Sequence, residues 1–293
     1  MATTAATETM MPDATLEPAP TAKTAKPEEK SAELPTGIRL PYVEQGDPSG
    51  VPVLFLHGAT DSWRSFELVL PYLPPSIHAF ALTLRGHGDA DRTIAGYHPR
   101  DFAADVAAWM NVLQLGPAVI AGHSLGSFVA QRVALDYPEL TRGLVLIGSS
   151  SRGRGNAALE DLWHTTISSL TGSVGLELVR EFQESTLAQP VPAIFFETII
   201  AESLKVPARI WRALLQGLLA TDHSRELSRI QTPTLIVWGD QDTLFSWEEQ
   251  EMLAAAIPGA QLLVYPGAGH GVHWEEPKRI AADLTAFVET LTS

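Results

Sequence analysis

The chain contains no cysteine. That excludes disulfides, a thiol nucleophile and thiolate metal sites, and leaves the compartment open. It has no apolar run approaching the ~18 residues that a membrane-spanning helix needs, so no membrane span is expected. Basic residues are scarce: 20 Lys and Arg stand against 34 Asp and Glu, a formal net charge of −14. Nucleic acid and anionic membranes both call for a basic face, so neither is an expected partner. No two histidines show the His-Glu-x-x-His spacing of a zinc site. Neither a metal nor a cofactor is predicted. The first residues lack a basic segment followed by an apolar one, so no secretory signal is read there and a cytoplasmic location is expected.

What the chain does have is 45% apolar residues in a length of 293, enough for a sizeable core. Residues 1–36 are rich in Ala, Thr, Pro and Glu and hold few large apolar side chains, which predicts a disordered tail. Beyond them the pattern alternates. Runs such as Val51-Pro52-Val53-Leu54-Phe55-Leu56 suit strands buried on both faces. Further strands are expected at 37–46, 77–82, 143–148, 234–238 and 261–265. Helices are expected at 63–73, 99–115, after residue 124, at 247–256 and at 277–291. The alternation predicts an α/β fold with a mostly parallel central sheet flanked by helices. Between 151 and 221 only helical patterns occur. The expected organisation is a core of residues 37–150 and 222–293, interrupted by a helical lid at 151–221.

The most informative stretch is Gly122-His123-Ser124-Leu125-Gly126. An apolar run, Pro117-Ala118-Val119-Ile120, precedes it and a helical pattern follows, so this Gly-x-Ser-x-Gly marks a strand-to-helix turn. Such a turn strains the central residue and lifts its side chain above the sheet. Small residues are needed two positions to either side. Ser124 would then present its hydroxyl at a helix N-terminus, which favours developing negative charge.

A serine hydroxyl needs a base, and the base needs an orienting acid. The loop Pro266-Gly267-Ala268-Gly269-His270-Gly271 offers His270. His273, three residues on, is its competitor. His57, His87 and His123 are expected to have structural roles, and the other histidines surface or hydrogen-bonded ones. The loop Gly239-Asp240-Gln241-Asp242 offers two carboxylates, and spacing alone does not choose between Asp240 and Asp242. Charge developing on a carbonyl oxygen calls for two backbone N–H donors. Leu125, after the nucleophile, and Ala59, in the loop after His57-Gly58, are the candidates.

These motifs, with Arg85-Gly86-His87-Gly88 and Trp238-Gly239-Asp240-Gln241-Asp242, resemble the α/β-hydrolase fold superfamily, in its lid-bearing esterase and haloperoxidase-like branch. The resemblance runs from about residue 37 to 291. It implies that Asp242 is the acid of a Ser124–His270–Asp242 triad. Departures stand at Thr83, Ala90, Ser127 and Ser246, where many members carry Asp, Ser, Gly and Pro. Dehalogenases and epoxide hydrolases of the superfamily use Asp as nucleophile, which Ser124 excludes. Carbon–carbon bond hydrolases often carry Asn where His123 stands. The expected activity is hydrolysis of a small-molecule carboxylic ester or lactone through an acyl-enzyme. Perhydrolysis, carbon–carbon bond hydrolysis and ligand sensing on the same fold are the alternatives.

Overall fold

A computed structural model describes residues 28–292. Its centre is an eight-stranded sheet: β1 (Glu29–Glu33), β2 (Arg39–Gln45), β3 (Val51–Leu56), β4 (Ile77–Leu82), β5 (Ala118–His123), β6 (Thr141–Ile147), β7 (Thr234–Gly239) and β8 (Gln261–Tyr265). The strands lie in the order β1-β2-β4-β3-β5-β6-β7-β8. Those from β4 to β8 run parallel, while β1 and β2 are antiparallel to their neighbours. Nine helices are described: α1 (Pro99–Val112), α2 (Leu125–Asp136), α3 (Ala157–Thr165), α4 (Leu176–Ser185), α5 (Ala193–Leu204), α6 (Ala208–Leu219), α7 (Trp247–Ala256), α8 (Val272–Glu275) and α9 (Pro277–Thr290). None is long and apolar enough to cross a membrane.

Alternation along each strand divides the core in two. Leu54, Leu56, Ile120, Leu144 and Ile236 meet Phe102, Trp109 and Phe128 of α1 and α2 on one face. Val53, Phe55, Ala121, Val145 and Val237 meet Ile280, Leu284 and Phe287 of α9 on the other. Both faces of the central strands are thus dry, which is why their sequences read as continuous apolar runs.

Two expectations need correction. The disordered tail was expected to reach residue 36. Residues 1–27 of it lie outside the described residues, and Glu29–Glu33 is an edge strand. It pairs antiparallel with β2, and only Ala32 of its five residues is buried. Backbone pairing, not apolar content, orders this segment, so composition gave no sign of it. A helix was also expected at 63–73. The chain instead makes two short 3₁₀ turns, Trp63–Phe66 and Leu70–Tyr72. Pro71 has no N–H for an i→i−4 bond, and its ring blocks a continuous helix.

Helices α3 to α6 form an insertion between β6 and β7. Its two ends meet at the base, where Arg152 and Asp222 pair antiparallel. The N–H groups of Gly153 and Arg154 both reach Thr221 O at 3.1 Å. Above this closed stem the insertion lies over the loop after β3 and over Ser124 at the end of β5.

Candidate active site

Ser124 sits between β5 and α2 with φ 49° and ψ −118°. A non-glycine residue at positive φ is strained by roughly 1–3 kcal/mol and persists only where its surroundings hold it. Here Ser124 N–H donates to Ile147 O at 3.0 Å, and Ser127 donates to Ser124 O from both its N–H (2.8 Å) and its hydroxyl (2.6 Å). The flanking glycines are required by space. A Cβ on Gly122 would lie 2.1 Å from Gly126 O, and one on Gly126 would lie 2.1 Å from Leu56 O. Both obstacles are backbone and cannot turn aside.

His270 and Asp242 come to the same edge on the loops after β8 and β7. His270 Nδ1 lies 2.8 Å from Asp242 Oδ2. The Asp242 side chain is fully buried, and its Oδ1 accepts from Leu244 N (2.8 Å) and Phe245 N (3.1 Å). Because a carboxylate oxygen accepts, Nδ1 is the donor in this pair, and in a neutral imidazole the lone pair then falls on Nε2. That Nε2 is buried and has no hydrogen-bond partner among the described residues. His270 and Ser124 line one cavity. No hydrogen bond joins Ser124 Oγ to His270 Nε2 among the described residues.

The structure separates residues that spacing left open. Asp240 is exposed and accepts from Gly267 N at 2.7 Å, away from His270. His273 is fully buried against Ser65 Oγ at 3.0 Å and lines neither cavity described below. His123 Nε2 donates to His270 O at 3.1 Å and so holds the loop that carries His270. His57 accepts Leu84 N–H at Nε2 (3.0 Å) and donates from Nδ1 to Gly58 O (2.8 Å). Burial holds His57, His123 and His273 well below the ordinary imidazole range, and pushes His87 down to about 4. These four are neutral supports.

Leu125 N is the first amide of α2 and has no intrahelical acceptor. Ala59 N donates to no acceptor among the described residues. The next residue, Thr60, has φ 69°. A β-branched residue there is a genuine outlier, and such strain gathers at functional loops. Gln183 of α4 helps to hold it: its Nε2 lies 3.3 Å from Thr60 Oγ1, 3.1 Å from Asp61 Oδ1 and 2.8 Å from Ser203 Oγ of α5.

Three residues here escaped the sequence reading. Asp61 is 2% exposed, and burial pushes its carboxyl up to about 7 despite hydrogen bonds from Gln183 and Ser65. Gln183 joins the insertion to the loop after β3. Glu275 accepts from Gly269 N (2.7 Å), Ala188 N (2.6 Å) and Gln189 N (3.1 Å), clasping the His270 loop to the chain between α4 and α5. The position of Asp61 two residues after Ala59 was the only available hint. Nothing local marks Gln183 or Glu275.

The parallel sheet, the strained serine turn and the imidazole–carboxylate pair define a class that comparison with known proteins establishes. The chain belongs to the alpha/beta hydrolase fold family, whose model matches residues 51–277. It is 27% identical over 268 residues to a 2-(acetamidomethylene)succinate hydrolase of Mesorhizobium japonicum, covering 86% of this chain and 92% of that one. It is 28% identical over 285 residues to a non-heme chloroperoxidase of Streptomyces lividans, covering 87% and 97%. Among solved structures it resembles an esterase from Exiguobacterium antarcticum, with a TM-score of 0.78 at 21% identity over 90% of this chain and 99% of the other.

Proposed function

We propose that the chain is a serine hydrolase of carboxylic esters. The observation that carries this reading is the His270–Asp242 pair, with a bare, buried Nε2 on the cavity that Ser124 also lines. In this mechanism His270 Nε2 takes the hydroxyl proton as Ser124 Oγ attacks the ester carbonyl. The oxyanion accepts hydrogen bonds from Ala59 N and Leu125 N. Collapse of the tetrahedral intermediate breaks the bond to the alcohol, which leaves with the proton from His270. Water, deprotonated by the same imidazole, then attacks the acyl-enzyme, and Ser124 recovers its proton as the acid departs. Asp242 keeps the imidazole tautomer correct and stabilises the imidazolium throughout. Helices α3 to α6 act as the lid that shapes the substrate site.

Perhydrolysis is the second reading, favoured by the likeness to the chloroperoxidase. It uses the same acyl-enzyme with hydrogen peroxide in place of water, and yields a peracid. A fluorophosphonate probe and a nitrophenyl ester test the common step. Labelling and turnover are expected in the native chain and lost in Ser124→Ala with the fold retained. Persistent labelling at another residue overturns the assignment. Peracid formation in the presence of peroxide separates the two readings.

A further inference from the structure

Ser124 stands where two chambers of unlike chemistry meet. The larger, a cavity of about 50 Å³ with an open mouth, lies beneath α3 and α6. Leu159, Leu162, Trp211, Leu214 and Leu218 supply its walls, and no Lys, Arg, His, Asp or Glu lines it. The smaller, about 20 Å³, is lined by Gly58, Asp61, His123, Gln183, Thr186, His270 and Trp274. Ala59, Ser124, Phe182 and Leu244 border both.

Proton transfer assigns a direction to each half of the substrate. The departing alkoxide must receive its proton from His270 Nε2, so the leaving oxygen has to lie within hydrogen-bond reach of that atom. His270 lines the small chamber and not the large one. The attacking water needs the same imidazole and enters by the same side. The acyl group bonded to Ser124 Oγ is left with the other direction, into the leucine-walled chamber. An apolar chain there replaces water against apolar walls.

Two polar side chains of the small chamber are held in place before any ligand arrives. Asp61 Oδ1 is held by Gln183 Nε2 at 3.1 Å and Asp61 Oδ2 by Ser65 Oγ at 3.2 Å. Gln183 is itself fastened to Ser203 at 2.8 Å. Core and insertion thus fix these groups from opposite sides, so little ordering is needed when a ligand arrives. No Lys or Arg lines either chamber, which leaves a carboxylate on either half of a substrate without a counter-charge. We propose that Asp61 and Gln183 make the small chamber the site of a small, uncharged, hydroxyl-bearing leaving group. The apolar chamber takes an uncharged acyl chain of several carbons. The substrate class is therefore a neutral ester of an apolar acid with a small polyol or similar alcohol. This inference rests on the serine-hydrolase reading.

The test compares kcat/KM for 2-hydroxyethyl octanoate, butyl octanoate, 2-hydroxyethyl acetate and the mono-2-hydroxyethyl ester of suberic acid. The native chain is expected to favour the hydroxyethyl over the butyl ester of octanoate by about tenfold or more. It should favour octanoate over acetate, and neutral octanoate over the carboxylate-bearing suberate, by similar factors. Gln183→Leu should erase the alcohol preference and keep the acyl preference. Leu214→Trp should do the reverse. Crossed dependence, with Leu214→Trp moving the alcohol preference and Gln183→Leu the acyl one, overturns the assignment, as does absence of either preference in the native chain. Should Gln183→Leu not fold, the native ratios and Leu214→Trp decide alone. Mass spectrometry of the acyl-enzyme separates the two levels. No acyl-enzyme from any ester overturns the hydrolase reading and this inference together, whereas an acyl-enzyme with the wrong preferences overturns this inference alone.

Discussion

The serine turn and the helical insertion meet above one sheet edge, yet they are built by opposite means. The turn is a backbone construction. Ser124 is held at φ 49° by hydrogen bonds of its own N–H and C=O to main-chain atoms and to the Ser127 hydroxyl, and Gly122 and Gly126 leave no room for a methyl group. The insertion is a side-chain construction. Its helices present leucines and Trp211 inward, and a few polar side chains, Gln183 and Ser203 among them, tie it to the loop after β3. The contrast teaches a division of labour. Reacting atoms must be placed within tenths of an ångström, which a crossing of main chains can ensure. Substrate preference needs only the right volume and polarity, which side chains can vary at low cost to the fold.

The sharpest way to break that contrast is Gly126→Ala. Its Cβ would lie 2.1 Å from Leu56 O, so β3 and α2 must separate. The expected result is loss of turnover together with at least about 3 kcal/mol of stability, the upper end for overpacking. Denaturant midpoints and fluorophosphonate labelling measure both. Full labelling in this variant would remove the backbone account of the turn. By contrast, Leu214→Trp in the insertion is expected to change preference while labelling persists.

A second test addresses the seam between the two regions. The Asp61 carboxyl is raised from 3.8 to about 7, chiefly by burial, with Glu202 adding to the rise and His270 opposing it. The folded chain therefore holds this proton more tightly than the unfolded chain. Stability from this group is fully present below about pH 4, falls as pH rises toward 7, and stays low above it. Asp61→Asn cannot ionise. Its stability relative to the native chain should climb between pH 4 and 8 by up to about 4 kcal/mol. Parallel curves for the two proteins would contradict a raised Asp61. A smaller effect is expected for Glu275→Ala, which frees three backbone N–H groups that join the His270 loop to the insertion. Hydrogen bonds to a charged group are worth roughly 1.5–3 kcal/mol each, and solvent reaches this half-buried carboxylate, so a loss near 2 kcal/mol is expected. Turnover should fall about tenfold as His270 loses its register. Unchanged turnover with reduced stability would limit Glu275 to a structural role.

Much of this was legible before any coordinates. The runs at β3, β5 and β7 announced a doubly covered parallel sheet, because strands dry on both faces cannot afford alternation. Gly122, Ser124 and Gly126 announced the turn, because its requirements fall within five consecutive residues. His270 stood out among small residues in a loop after a strand. Other features were hidden for equally physical reasons. Strand β1 is ordered by edge pairing and has only Ala32 buried, so its composition reads as tail. Asp240 and Asp242 are two residues apart in one loop, and only the path of that loop decides which one meets His270.

By itself, then, the sequence determined the fold class, the strained serine and the loops that bring His270 and Asp242 to the same edge, all of them properties of contiguous residues. The tertiary structure alone decided what surrounds Ser124. Asp61 and Gln183 are 122 residues apart in the chain, and Glu275 joins positions 87 residues away. No local pattern encodes such meetings. They exist because the insertion folds back over the sheet edge, and with it come two cavities at Ser124, of which only one is lined by titratable side chains.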